Sequence, residues 1–137
     1  MTVRKVNSNS YENGDIHNVG ANSVVFTKGD LVTDDAGKVI LAVAAAKISG
    51  VCKMDATMAS DNQTVAKVEV IYEEQKDSTT YEMTITGGTL TSANEQDFFD
   101  LSDEVTVDGT SGSATTGQVQ MIKYVSATAG IFKIVNA

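Results

Sequence analysis

The chain has 137 residues, 42% of them hydrophobic, enough for one domain with a buried core and too few for two. Its 18 acidic and 10 basic residues leave a net charge of −8, which disfavours nucleic-acid phosphates and anionic lipid headgroups as partners. A single cysteine excludes an intrachain disulfide, and the absence of proline leaves the turns to Gly, Asn, Asp and Ser.

Residues 1–22 read as an N-terminal arm, polar and carrying Asn7, Asn9, Asn13, Asn18 and Asn22, with a short strand at 2–6. Too few apolar groups are present to offset the ordering cost, so the arm is expected to order on a partner. No apolar run follows the first basic residues, so no signal peptide is expected. The longest apolar run, 39–46, is too short to cross a bilayer. These features suggest a soluble protein made in a cytoplasm.

Residues 23–137 read as a single β-rich domain. Val24 and Phe26 alternate with Val25 and Thr27, which predicts a strand over 23–28. A short strand at 31–33 leads to Asp34-Asp35-Ala36-Gly37, a turn signal. Residues 38–45 fit a buried strand or a helical turn, 47–51 another strand, and 54–62 a short helix or a loop. The clearest alternation is 64–72, where Val65, Lys67, Glu69 and Ile71 interleave with Ala66, Val68, Val70 and Tyr72. Residues 79–86, with Tyr81, Met83 and Ile85 on one side, are predicted to pair with it as an antiparallel hairpin. Gly87-Gly88 breaks the chain. Ser92-Ala93-Asn94-Glu95 fits a capping box that opens a short helix through Leu101. Strands are predicted at 103–107, 118–124 and 131–135. The expected class is mainly β: a small β-barrel, β-tulip-like or sandwich domain with one short helix and an extended N-terminal arm.

The chain offers little for catalysis, and no enzyme activity is expected. His17, the sole histidine, lies in the polar arm beside Asp15, and no Gly-x-Ser-x-Gly elbow supplies a nucleophile. Cys52 sits in an apolar stretch that suits a buried thiol. Asp97 and Asp100 would share a helix face, but the aromatic lining of a sugar cleft is sparse: four Tyr, four Phe and no Trp. Asp34, Asp35 and Asp108 border Gly-containing turns and read as solvated acids, with no calcium-loop pattern. Phosphate-loop, dinucleotide and zinc spacings are absent. No cofactor or metal is expected.

The stretch Asn18-Val19-Gly20-Ala21-Asn22-Ser23-Val24-Val25-Phe26-Thr27-Lys28-Gly29-Asp30-Leu31-Val32 resembles the start of tailed-bacteriophage head decoration, or cement, proteins. The likeness continues through Ile48-Ser49-Gly50-Val51 and the Val-rich strand 65–71, and covers 18–72. It implies a structural virion protein on the capsid exterior. Such a protein binds the major capsid protein, bridges its subunits and stabilises the shell, often as a homotrimer. On that footing Thr2, Val3, Arg4, Lys5, Val6 and Tyr11 of the arm, and Phe98 and Phe99 of the expected helix, are the candidate partner-binding residues. Two other classes stay open. One is a carbohydrate- or host-surface-binding β-domain of a phage fibre or surface layer, which needs a platform of exposed tyrosines. The other is an enzyme-associated β-domain, which needs a pocket of converging polar groups.

Overall fold

The computed structural model describes residues 3–7, 15–75 and 79–137. Within them the strands, in chain order, are β1 (Arg4–Asn7), β2 (Asp15–Val19), β3 (Val25–Phe26), β4 (Leu31–Asp35), β5 (Lys38–Leu41), β6 (Gly50–Cys52), β7 (Ala56–Thr57), β8 (Glu69–Glu74), β9 (Thr80–Thr86), β10 (Phe98–Phe99), β11 (Thr106–Asp108), β12 (Val119–Ser126) and β13 (Ala129–Ile134). The chain is mainly β, as its turn chemistry and alternation imply.

Five strands form one antiparallel sheet in the order β2-β8-β6-β4-β5. Past the end of β2, Gly20 bridges Val39 in parallel, and the Ala21 N–H donates to the Val39 carbonyl at 2.8 Å. The sheet thereby closes into a small barrel. Alternate residues of its strands point inward, so Val32, Val39, Cys52, Val70 and Tyr72 fill it, with Phe26 and Met58 added from around the β3–β7 ribbon. The β4–β5 hairpin turns on Ala36 (φ 51°) and Gly37 (φ 90°). Two successive positive φ values suit the right-handed twist of the strands they join. Gly50 is dictated by close approach, since a Cβ there would lie 2.1 Å from the Glu73 carbonyl oxygen.

The second sheet has the order β1-β9-β13-β12-β10, with β11 parallel to the upper half of β9. Leu101, just past β10, bridges Val107 of β11, and the Asp108 N–H donates to the Asp100 carbonyl at 2.9 Å. This ring therefore also closes, as β9-β13-β12-β10-β11. Val119 and Met121 of β12 and Phe132 and Ile134 of β13 face its interior. Phe99 meets Phe132 there edge-on, with centroids 5.9 Å apart and planes at 89°. Leu31, Ala42 and Ile48 of the first barrel belong to this same core cluster, so the two barrels share apolar interior.

Several sequence expectations are corrected. The predicted 64–72/79–86 hairpin does not form. β8 pairs with β2 and β6 in the first barrel, whereas β9 pairs with β1, β13 and β11 in the second. Residues Asn62–Ala66 make a π-type helical turn instead of the start of a strand, and Lys67 caps it at φ 48°. The expected helix through Leu101 shrinks to one 3-10 turn, Ser92–Asn94, and its capping box sits one residue earlier, on Thr91 and Asn94. Phe98 and Phe99 are strand because β12 offers them a paired edge and the core takes one ring. The expected arm contributes β1 and β2 to the chain's own sheets, which its polar composition did not suggest.

Asn62 explains why the helical turn forms. Its side chain is fully buried, donates to the carbonyls of Gly20 (2.6 Å) and Val68 (3.0 Å), and accepts the Val68 N–H at 2.7 Å. It thereby satisfies backbone groups where β2 leaves the barrel and β8 enters it. Asn62→Ala leaves the Val68 N–H without its acceptor, while the Gly20 carbonyl keeps the Gln63 amide and the Val68 carbonyl keeps the Gly20 N–H; a buried donor left unpaired costs about 1–3 kcal/mol. The expected outcome in urea denaturation is a loss of about 1–3 kcal/mol with the slope unchanged.

Candidate interaction surface

The structure separates the groups that could have formed a catalytic set. His17 lies exposed on β2, 3.9 Å from the Glu69 carboxylate. Cys52 points into the same barrel, 2% exposed, and its thiol donates to the Met54 carbonyl at 3.0 Å. Burial, with smaller contributions from Asp30 and Asp55, pushes that thiol's pKa up, away from the thiolate a nucleophile needs. Asp97 and Asp100 flank β10 on the other barrel, with Asp97 accepting from Asn94 at 3.2 Å. Among the described residues no three His, Cys, Asp or Glu side chains gather as metal ligands.

Two of the larger cavities flank the junction of the barrels. One, of about 510 Å³, is lined by Lys47, Asp100, Thr116, Gln118 and Asn136 among others. Gln118 lends it no free polar atom, because both ends of its amide are committed to the backbone (below). The other, of about 490 Å³, has Val3, Val51, Cys52 and Tyr81 with Lys28, Lys53 and Glu73 around it. Burial and the neighbouring Glu73 push the Tyr81 phenol up to about 12, so it stays protonated. A third cavity, of about 270 Å³, holds Asp34 and Tyr72. There the Tyr72 hydroxyl donates to Asp34 at 3.0 Å, and Asn18 donates to both oxygens of the same carboxylate. Burial first, then that bond, raises the Tyr72 pKa well beyond the usual phenol range. In this cavity the Asp34, Tyr72 and Asn18 side chains satisfy one another.

The candidate partner-binding residues divide. Thr2 and Tyr11 lie outside the described residues. Val3 is 5% exposed and belongs to the chain's own core, so it fills no pocket on another molecule here. Arg4, Lys5 and Val6 lie in β1, Arg4 and Lys5 opposite Glu82 and Tyr81 of β9 and Val6 at a register shift before Asn7. Phe99 is buried, while its neighbour Phe98 faces the other side of the strand and is half-buried. The outer face of the second barrel runs through Phe98, Gln120, Lys133 and Thr80, which are register partners across β10, β12, β13 and β9. Ile131 and Glu82 form the next row, with Lys123 beside them. Lys123, Lys133 and Ile131 escaped the sequence reading. Their signal was the alternation with Gly130, Phe132 and Ile134 in β13, which marks the outward face as well as the core.

Comparison of the chain with known protein families and with characterised proteins finds no match. No helix among the described residues is long and apolar enough to cross a membrane.

Near the junction, Asp30 is 7% exposed and accepts the Thr27 N–H at 2.9 Å. Burial raises its pKa against the lowering effect of that bond, and Glu104, Asp55 and Asp103 raise it further. A carboxyl whose pKa rises on folding favours the folded state below its unfolded value, 3.8, and loses that contribution as pH rises through the folded value. Asn in its place keeps an oxygen for Thr27 and carries no charge. Asp30→Asn is therefore expected to raise the thermal midpoint at neutral pH, with the gain vanishing as the pH falls below the ordinary carboxylate range. A melting series across pH checks both the sign and the window.

Proposed function

We propose that this chain is a structural virion protein that binds the outside of a tailed-phage capsid and stabilises the shell by bridging major capsid protein subunits. The observation that carries the reading is where the residues of the resemblance fall. Residues 18–72 build the first barrel almost alone, a small β domain of the kind the resemblance implies. Gly29 and Asp30 make the turn into β4, whose Leu31 and Val32 are fully buried. Gly50 sits where only a glycine clears the neighbouring strand. The quoted pattern is thus a framework pattern, and its glycines and buried apolar residues have a physical cause in this barrel.

On this reading the protein catalyses nothing, needs no cofactor and resides on the capsid exterior. The saccharide-binding alternative lacks its platform among the described residues: Tyr72 and Tyr81 are buried and Tyr124 is half-buried. Co-sedimentation with purified tailed-phage capsids, before and after expansion, tests the proposal. Saturable binding to expanded shells, with a raised temperature of shell disruption, is expected. Failure to co-sediment with either form contradicts it.

A further inference from the structure

The cavity of about 490 Å³ beside the junction carries polar groups that the fold leaves unused. Its apolar walls come from both barrels: Val51 belongs to β6 of the first, Tyr81 to β9 of the second, and Val3 precedes β1. Tyr81 is 4% exposed, yet its hydroxyl makes no hydrogen bond among the described residues. Such a group is uncommon in a folded chain, because its desolvation goes uncompensated. Among the described residues the Gln75 amide oxygen is the side-chain polar atom that is both unpartnered and sealed from solvent. The Tyr81 hydroxyl is therefore reached from the cavity that its residue lines. Burial and Glu73, on the same cavity wall, keep the phenol protonated, so it is a donor. Lys28 stands exposed at the rim, and its ammonium has no ion-pair partner among the described residues. Asp55 accepts the Lys28 backbone N–H at 2.8 Å, which fixes the rim there. The other two charged neighbours are engaged: Lys53 pairs with Asp15 at 2.8 Å, and Glu73 has a partner of its own. The two groups left over are both donors.

We propose that this cavity binds a carboxylate carried on an apolar body, with the Tyr81 hydroxyl and the Lys28 ammonium on the carboxylate and Val3 and Val51 against the body. Ligand pockets span about 300–1,000 Å³ and combine apolar walls with a few placed polar groups, and this cavity has both properties. Two unused donors call for an acceptor, and a charged acceptor answers both the hydroxyl and the ammonium. A single negative charge fits better than the double charge of a phosphate, because Glu73 on the wall repels the second charge as well as the first. The chemistry has two sources, a free aliphatic acid or the C-terminus of a protein chain that ends in an apolar residue. The site stands on the cavity alone and does not rest on attachment to a shell.

Isothermal titration calorimetry of the full chain tests it, with octanoate as one probe and a short peptide ending in a free leucine carboxylate as the other. Saturable, stoichiometric binding of at least one probe is expected. Binding of octanoate supports the site with a free acid as its ligand, and binding of the peptide alone supports it with a chain terminus. Octanol and the amidated peptide, which lack the charge, should bind about tenfold more weakly or worse. Tyr81→Phe keeps the ring and removes only the unpartnered hydroxyl, so it should weaken binding about tenfold without lowering the urea midpoint. Lys28→Gln, at an exposed position, should weaken binding and remove most of its salt dependence. If Tyr81→Phe fails to fold, Lys28→Gln and the uncharged probes still decide. Absence of binding by both acids overturns the proposal. So does equal binding of octanol, or binding that Tyr81→Phe and Lys28→Gln leave unchanged.

Discussion

Two closed barrels this small must be held to one another, and the holding is done by two side-chain amides. Gln118, 3% exposed, lies just before β12. Its amide nitrogen donates to the Val43 carbonyl at 2.8 Å and to the Ala46 carbonyl, while its oxygen accepts the Leu101 N–H at 2.8 Å. Asn136, just past β13, accepts the Ile48 N–H at 2.8 Å and returns its amide to the Ile48 carbonyl at 3.0 Å. The segment between β5 and β6 is bonded to β4 at its ends, through the Ala42 and Ser49 N–H groups, and these amides serve the Val43, Ala46 and Ile48 backbone groups between them. Backbone groups buried there without partners cost about 1–3 kcal/mol each, so the loss of either amide weakens the junction. The Leu31 N–H, donating to the Glu104 carbonyl at 2.8 Å, adds a direct backbone link.

Once the junction is fixed, the remaining features follow. Leu31, Ala42 and Ile48 are carried into the core of the second barrel, and Val3 closes that core from the β1 side. The Asn62 amide repeats the same device at the mouth of the first barrel. In each case one buried amide side chain substitutes for a missing strand edge.

Local chemistry was legible in the sequence where it acts locally. The Asp34–Gly37 turn, the strand over 118–124 and the fold class all follow from turn residues and alternation. Partner choice did not follow. Residues 69–74 alternate as strand, yet nothing within them states that their neighbours are 15–19 and 50–52 instead of 80–86. The Ser92 and Glu95 spacing satisfied the capping pattern, but burial of Phe99 against Phe132 needs an extended backbone, and tertiary packing overrode the local preference. Composition marked the first residues as an arm, because one buried valine and a paired edge leave little trace in a polar stretch. The structural roles of Asn62, Gln118 and Asn136 were invisible for the same reason. A single Asn or Gln looks alike whether it is solvated or buried, and only the fold supplies the carbonyls that it answers.

Native-state amide hydrogen exchange on Gln118→Ala is the most direct test of this junction. If the amides join the barrels, the Leu101 N–H loses its acceptor and exchanges far faster. The Ile48 N–H, held by Asn136 on the same seam, must lose protection with it, while the amides of β8 keep theirs until global unfolding. If the Ile48 amide exchanges at its original rate in a variant that still folds, Gln118 serves only its own loop and the barrels are joined by something else.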